Sequence, residues 1–448
     1  MMKYIPAILI FLLLSVLTGY SQQLWTLEDC IEYAMENNIQ LKRQELQSDA
    51  ARNNYNTSWM RVLPGVSAFA DHYFNSGRAL NYDTYQWENR AFEQGNLGIQ
   101  GSLSIFGGFQ NHHNIQEQRY LLLFQLQQVE RARNDLSLNI ASAYLQILLD
   151  MDLKDIAAGQ LEVSTLEVEA AKVNFNLGNI SMGRLLEVES QNAANEYQLT
   201  MARNNLSNSY LNLIQILQLD PEEDFRIARP EELEINESVI LNSISDIYDQ
   251  AEQFLPHVRA AEYFVKSREK QLSLARGQLS PRLGVRGLFY TRYSEIALDP
   301  VTGSTYGGYL PQLKDNRYLQ FGVSLVIPIF DGWNARNRIS NARISVLDAT
   351  YQLEETRQNL YSEIHQMYNN AINTYNRFNS ADRAVSYAMQ TSEHAGEQFR
   401  LGLINFVDYQ HSQASLFRAS SDRAQAKYEY FLRSMILDFY LGEPLEFN

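Results

Sequence analysis

The tetrapeptides Phe106-Gly107-Gly108-Phe109 and Phe330-Asp331-Gly332-Trp333 lie 224 positions apart and decide how the rest of the chain is arranged. Each follows an alternating run that is typical of a β-strand, and each precedes a long proline-free run that is typical of a helix. The same offset carries Leu177-Gly178 onto Leu401-Gly402. The chain is therefore predicted to be a tandem duplication.

The strand that precedes each tetrapeptide has the clearest pattern. Apolar residues alternate with small or polar ones between Leu97 and Ile105, and again between Phe321 and Ile329. A run of about 10 residues with one apolar face is typical of a membrane-spanning strand, although a strand packed on a soluble core fits the pattern too. Less regular strands are predicted near 66–74 and 285–293, with polar, aromatic-rich loops at 75–94 and 294–316. Since four strands cannot close around a channel, strands in a membrane would require several chains.

The helical part of each copy contains one very long helix. No proline occurs from Gln110 to Asn176 or from Asn334 to Arg400, and about 67 residues at 1.5 Å per residue give a helix on the order of 100 Å. Apolar residues recur in the first of these at 136, 140, 144, 147 and 151, which predicts a coiled-coil-like apolar stripe. Helical runs of about half that length are predicted at 27–61, 182–219, 244–278 and 406–441. The first and third are each expected to comprise a short helix followed by a longer one, because Pro256, at the position of Ile39 in the first copy, suits the first turn of a new helix. Two half-length helices stacked end to end match one long helix, which indicates a two-tier helical cylinder.

Composition limits the environment of the protein. The chain has 37 Lys and Arg against 52 Asp and Glu, a formal net charge of −15, which argues against nucleic acid as a partner. Residues 1–21 are typical of a secretory signal peptide. No later segment approaches the roughly 20 apolar residues of a membrane helix. The single Cys30 cannot form an internal disulfide and is predicted to be a buried, small apolar residue.

No pattern indicates catalysis, a cofactor or a metal. The sequence lacks a nucleophile elbow, an HExxH motif and a glycine-rich phosphate loop. His112 and His113 are adjacent, so on a helix they point to different faces and are expected to meet solvent or to pack. We therefore expect no catalytic residue, and we expect that the protein is not an enzyme.

With its tandem copies, its Leu63-Pro64 and Ser280-Pro281 strand entries and its two Leu-Gly-x-x-Ser/Asn turns, the chain resembles the outer-membrane efflux protein family, the TolC-like channels. The resemblance covers nearly all of the chain after residue 21. It implies a first repeat at 22–219, a connector at 220–238 and a second repeat at 239–448. The implied fold is mainly α with a small β part: long antiparallel coiled-coil-like helices form a periplasmic α-barrel, and four strands per protomer contribute to a trimeric 12-stranded outer-membrane β-barrel.

The same resemblance implies the function and the partners. A homotrimer in the bacterial outer membrane, extending into the periplasm, would serve as the exit channel of a tripartite efflux pump or a type I secretion system. Its partners would be a periplasmic adaptor, or membrane fusion, protein, an inner-membrane pump of the RND or ABC type, and outer-membrane lipid.

The resemblance also implies two groups of site residues. The pore constriction corresponds to Asp408 and His411; the family's second acidic position is His411 here, and its basic position after the second turn is Ile404. Arg184 occupies the place of Asp408 in the first copy. The turns that would contact the adaptor contain Leu177, Gly178, Ser181, Leu401, Gly402 and Asn405. Independently of the resemblance, glycine at each turn is predicted to end one helix, and Ser181 or Asn405 to cap the next.

A solvated helix carboxylate is the alternative interpretation of Asp408, and a surface pair is that of His411. The two Leu-Gly turns could likewise be ordinary helical hairpin turns. For the whole chain, the alternative function is a structural one, a periplasm-spanning scaffold or surface receptor without a transport role. The transported substrate is not encoded in these patterns.

Overall fold

The computed structural model describes residues 24–81, 85–220, 225–230, 243–299, 301–304 and 306–443. The predicted signal peptide lies outside these residues, as does much of the predicted connector. The elements in order are α1 Leu27–Asn37, α2 Ile39–Met60, β1 Gly65–Asn81, β2 Gln86–Gly107, α3 Gln110–Asn176, α4 Met182–Leu217, α5 Ile244–Phe254, α6 Pro256–Gly277, β3 Arg282–Ser294, α7 Tyr309–Asp315, β4 Tyr318–Val326, α8 Asn334–Arg400 and α9 Phe406–Tyr440.

The helices match the sequence predictions closely because their ends are set by local chemistry. α1 begins after Thr26, which forms a capping box with Asp29, and α6 begins at Pro256, whose fixed φ suits the first helical position. α3 and α8 each contain 67 residues. No helix in the described part of the chain has the length and apolar character needed to cross a membrane.

The chain divides into two compact units. The first comprises Met1–Glu45, Gln128–Val258 and Arg357–Asn448, and the second comprises Leu46–Gln127 and Arg259–Thr356. α3 and α8 contribute residues to both units.

The core of the first unit contains the predicted apolar stripe of α3. Ile140, Tyr144 and Ile147 are buried together with Leu213. The Tyr144 hydroxyl donates hydrogen bonds to the carbonyl oxygens of Trp25 (3.1 Å) and Ala228 (2.6 Å), so it ties the chain before α1 to the short described part of the connector.

Cys30 also lies in this core, fully buried as predicted. Burial, together with the neighbouring carboxylates of Asp29 and Glu28, raises the pKa of its thiol to about 12. A thiol with this pKa is inert at neutral pH.

The second unit is built on a four-stranded antiparallel sheet in the order β1-β2-β3-β4. β2 pairs with β3, so the strands of the two sequence copies join at the middle of the sheet. Among the described strands, β1 and β4 have one neighbour each, and every residue of β4 is exposed in the single chain.

The first predicted loop was wrong in extent. β1 and β2 stay paired from Gly65↔Ser102 out to Asn81↔Gln86, so most of 75–94 is strand, and only the tip at 82–84 lies outside the described residues. The side chains here are mainly polar and show no apolar alternation, so the sequence did not predict the pairing, which depends on backbone hydrogen bonds between the two strands. The second predicted loop contains the short helix α7. β4 ends at Val326, before Pro328, which cannot donate a ladder hydrogen bond.

The two matched tetrapeptides form the same unusual turn. Gly108 and Phe109 have φ of +66° and +58°, and Gly332 and Trp333 have φ of +67° and +72°. A left-handed backbone is costly for an aromatic residue, and glycine makes it possible at the first position of each pair. A Cβ on Gly108 would lie 2.4 Å from the Gly277 carbonyl oxygen, so the strand-to-helix turn passes directly against the end of α6.

Candidate functional site: the two hairpin turns and the apolar sheet face

The turns that join α3 to α4 and α8 to α9 have the same geometry, and both lie in the first unit. Gly178 and Gly402 have φ of +75° and +73°, where a side chain would be strained. In the first turn the amide of Asn179 donates to the carbonyl of Asn174 at 2.9 Å. In the second, the amide of Leu403 donates to the carbonyl of Gln398 at 2.8 Å. Both helices therefore end in a Schellman-type cap.

Each returning helix begins with the cap that the sequence predicts. The Ser181 side chain accepts from the amide of Arg184 at 3.3 Å, and the Asn405 side chain accepts from the amide of Asp408 at 2.9 Å. Leu177 and Leu401 are exposed at the two turns, at 69% and 74%. Each turn thus presents an apolar knob on a rigid backbone.

Asp408 and His411 both lie on the first turns of α9 and are exposed in the single chain. Among the described residues, no ion pair involves either side chain. They remain a predicted constriction.

Arg184 links the two hairpins, a role that sequence reasoning missed. Its guanidinium lies over the ring of Phe406 at 3.9 Å and that of Phe399 at 5.8 Å, and it also pairs with Glu187 at 3.1 Å. The arginine side chain is 23% exposed, so the cation–π contact is largely shielded from water. The available signal was the departure of the two copies from each other at positions 184 and 408.

A second link between the hairpins uses a partly buried carboxylate. Gln410 donates to Oε2 of Glu167 at 2.9 Å, whereas Oε1 of Glu167 is buried without a hydrogen-bond partner. Burial raises the pKa of Glu167, opposed by hydrogen bonds from Tyr409 and Gln410. Tyr409 in turn stacks on Phe399 with ring centroids 5.0 Å apart, and burial followed by the Glu167 contact raises the pKa of its phenol to about 12.

Between these two links lies a cavity of about 660 Å³, lined mainly by apolar side chains of both hairpins. Near the turns the hairpins also share an apolar cluster, in which Leu185 and Val188 of the first hairpin are buried with Phe406 of the second.

The sheet in the second unit has two chemically different faces. The register places Ala68, Ile99, Phe289 and Leu319 side by side across the four strands. The adjoining rows contain Val66, Gly101, Gly287 and Phe321, and then Leu103, Val285 and Val323. These rows form a continuous apolar face.

The opposite face is mainly polar. It carries the row Ser67, Gln100, Leu288 and Gln320, with Arg286 on the next row to one side and Arg292 two rows away on the other. On the apolar face, Leu97 and Phe321 are 46% and 74% exposed in the single chain. An apolar face that the chain itself leaves uncovered is typical of contact with lipid rather than with a soluble core.

The remaining candidate from the sequence was the histidine pair at the start of α3. His112 shares a 3.0 Å hydrogen bond with Gln116, and burial lowers the pKa of His113. Within the described residues, no group of three or more potential ligands could hold a metal ion.

Long helical hairpins combined with a lipid-facing sheet define the class of outer-membrane channel proteins, and the comparisons agree. The crystal structure of the outer membrane protein VceC from Vibrio cholerae has a TM-score of 0.77 over 94% of this chain and 97% of that chain, at 16% identity. Outer membrane protein TolC of Escherichia coli (strain K12) is 23% identical over 463 residues, 98% of this chain and 87% of TolC. Outer membrane protein OprJ of Pseudomonas aeruginosa is 22% identical, over 86% of this chain and 78% of OprJ.

The model of the outer membrane efflux protein family matches residues 30–218 and 247–443. The chain belongs to this family. It is an outer-membrane efflux channel protein, and the members of the family are channels rather than enzymes.

Proposed function

We propose that three copies of this chain form a passive export duct, the outer-membrane part of a tripartite efflux pump or a type I secretion system. The observation that supports this proposal best is the four-stranded sheet, which has an apolar face and two edges without a partner among the described strands. The duct itself catalyses nothing, and its energy comes from the inner-membrane pump.

The physical argument concerns the unpaired edges. In lipid, a backbone amide or carbonyl without a hydrogen-bond partner costs several kcal/mol, so a β-sheet crosses a membrane only as a closed barrel. A closed barrel of eight strands barely holds its own side chains, so the four strands of one chain are too few. Three chains supply twelve strands, the number that the family resemblance implies, with β4 of each chain paired to β1 of the next.

We propose further that the hairpin turns form the regulated end of the duct. Three copies of Asp408 would form a ring of carboxylates, with His411 one helical turn away, and such a ring favours the entry of cations. The six turns, each with its exposed leucine, would contact a periplasmic adaptor at Leu177, Gly178, Ser181, Leu401, Gly402 and Asn405. An RND-type or ABC-type pump would complete the assembly.

The duplication explains why six similar turns occur in a trimer. We place the first repeat at 22–219 and the second at 239–448, joined by the connector at 220–238. The two family-model matches at 30–218 and 247–443 support this division.

The test is reconstitution of the purified protein in planar bilayers, with native mass spectrometry to count chains. We expect a trimer that conducts, and we expect Asp408→Ala to reduce its cation selectivity. The matched control is Asp422→Ala, since Asp422 is exposed on the same helix 14 residues further from the turn. A trimer that never conducts, even with Asp408 and His411 both replaced by alanine, would favour the scaffold function instead.

A further inference from the structure

The helix α7, which lies between β3 and β4 in the chain, packs against the end of β3. The Thr291 hydroxyl on β3 donates to the carbonyl of Leu313 at 2.7 Å. The Gln312 side chain accepts from the amide of Ser294 at 2.9 Å and donates to its carbonyl at 3.0 Å, as a paired strand would. Gln312 is almost fully buried. α7 is therefore fastened firmly to the end of β3.

Aromatic packing fastens the same helix on the apolar face. Thr291 and Tyr293 share the side of β3 that carries Phe289, and the Tyr309 ring of α7 lies 4.7 Å from the Tyr293 ring. His72 on β1 stacks on Tyr293 with centroids 6.5 Å apart. Gly95 leaves room for this cluster, because a Cβ there would lie 3.3 Å from the Tyr309 hydroxyl.

The height of α7 along the strands coincides with one boundary of the apolar face. That face runs on β2 from Ile105 to Leu97, and beyond Leu97 the same side carries Gly95 and Glu93. Eight steps of about 3.3 Å along a strand tilted by about 45° give roughly 20 Å, close to the apolar band of a membrane-spanning sheet. α7, with its Tyr309 and the neighbouring Tyr293 of β3, thus lies where aromatic girdles meet the headgroup layer.

An exposed leucine on α7 lies near two cations, one within the helix and one two residues after its end. Leu310 is 76% exposed, and Lys314 and Arg317 are both exposed. The Arg317 side chain donates to the Lys314 carbonyl at 2.6 Å, which holds it next to the end of α7. The intervening carboxylate of Asp315 accepts a hydrogen bond from the Tyr306 hydroxyl.

We propose that α7 is a membrane-interface anchor that binds anionic lipid headgroups. Leu310 enters the boundary between headgroups and acyl chains, and Lys314 and Arg317 contact the negative phosphate groups. Apolar insertion together with electrostatic attraction is the physical basis of interfacial binding. The proposal requires that the sheet lie in a bilayer but is independent of transport through the duct.

A depth measurement tests the insertion. Leu310→Cys is labelled with an environment-sensitive fluorophore in the full chain, where the native Cys30 is buried. Val301→Cys is the matched control, because Val301 lies in the same segment and is 90% exposed. In vesicles we expect brominated lipid to quench the label at 310 and aqueous iodide to quench the label at 301. Equal iodide quenching at both positions would overturn the proposal.

A lipid-preference measurement tests the cations. Native mass spectrometry of the trimer, with phosphatidylglycerol competing against phosphatidylcholine, measures the retention of each lipid. We expect Lys314→Gln and Arg317→Gln each to reduce the preference for phosphatidylglycerol by roughly fivefold. Arg286→Gln, on the opposite face of the sheet, is the control and should leave the preference unchanged. An unchanged preference in the α7 variants, or an equal loss in the control, would refute anionic lipid as the ligand.

Discussion

Replacement of Arg184 by methionine should weaken one of the contacts between the two hairpins and so favour the open state of the proposed duct. Methionine keeps an apolar stem against the rings but removes the cation. The guanidinium lies 3.9 Å from the centroid of Phe406, and the side chain is 23% exposed. Cation–π contacts give from 0.5–1 kcal/mol at exposed sites to about 2 kcal/mol when desolvated, so we assign about 1–2 kcal/mol per chain.

That free energy predicts a large change in gating. Because 1.4 kcal/mol is a factor of ten in an equilibrium constant, each lost contact should raise the open-to-closed ratio by about tenfold. A trimer contains three such contacts, so the three effects on the open-to-closed ratio multiply if all three hairpin pairs must separate before the duct opens.

The assay is the open probability of single channels in planar bilayers, measured as a double-mutant cycle with Phe406→Leu. The cycle separates the Arg184–Phe406 coupling from the packing that Phe406 contributes by itself. Arg423→Met is the control, since Arg423 of α9 forms an exposed ion pair with Asp382 of α8, within one hairpin rather than between the two. A coupling free energy near zero, or an equal effect of the control, would refute the conclusion that the Arg184–Phe406 contact holds the hairpins closed.

Three further predictions concern stability. Gly98→Ala should prevent assembly of the sheet, because its Cβ would lie 2.6 Å from the Phe69 ring. The added Cβ of Gly287→Ala meets only open space, so this variant should assemble normally. The yield of membrane-inserted trimer measures both outcomes, and equal yields would contradict the prediction. Gly402→Ala should lower the free energy of unfolding by about 1–2 kcal/mol because φ is +73°, whereas Gly159→Ala within α3 should raise it by about 0.5–1 kcal/mol. Denaturant titration measures both changes, and two changes of the same sign would contradict this prediction. Asp438→Asn should flatten the pH dependence of stability between about pH 4 and 6. Burial, aided by Glu443, raises the pKa of Asp438 from 3.8 to about 6, so the folded state holds the proton more tightly and the free energy of unfolding falls as the pH rises through this window. Thermal melting at several pH values measures this slope, and an unaltered slope in the variant would contradict the assignment.

Local chemistry made the helices and their turns predictable. Pro256 at a first helical position, Gly178 and Gly402 at helix ends, and Ser181 and Asn405 as caps each act within a few residues of the chain. The periodicity of the α3 stripe was equally local. These features predicted both 67-residue helices at the bounds that the structure has.

The strands were only partly predictable because their pairing is not local. β2 continues through polar residues from Gln86, where no apolar alternation marks it, because β1 supplies its hydrogen-bond partners. α7 is held by Thr291 and Ser294, which lie about twenty residues away in the sequence. No window of the sequence contains both partners of such a contact.

Patterns in the amino-acid sequence were enough to predict the duplication, the helix ends and the alternation that makes one face of the sheet apolar, because none of them requires knowing which residues pack together. The packed structure was needed to show that Arg184 meets Phe406, that Glu167 meets Gln410 and that α7 lies at the boundary of the apolar face. These contacts join residues far apart in the chain, and their energies depend on distance and burial, which exist only once the helices and strands have packed.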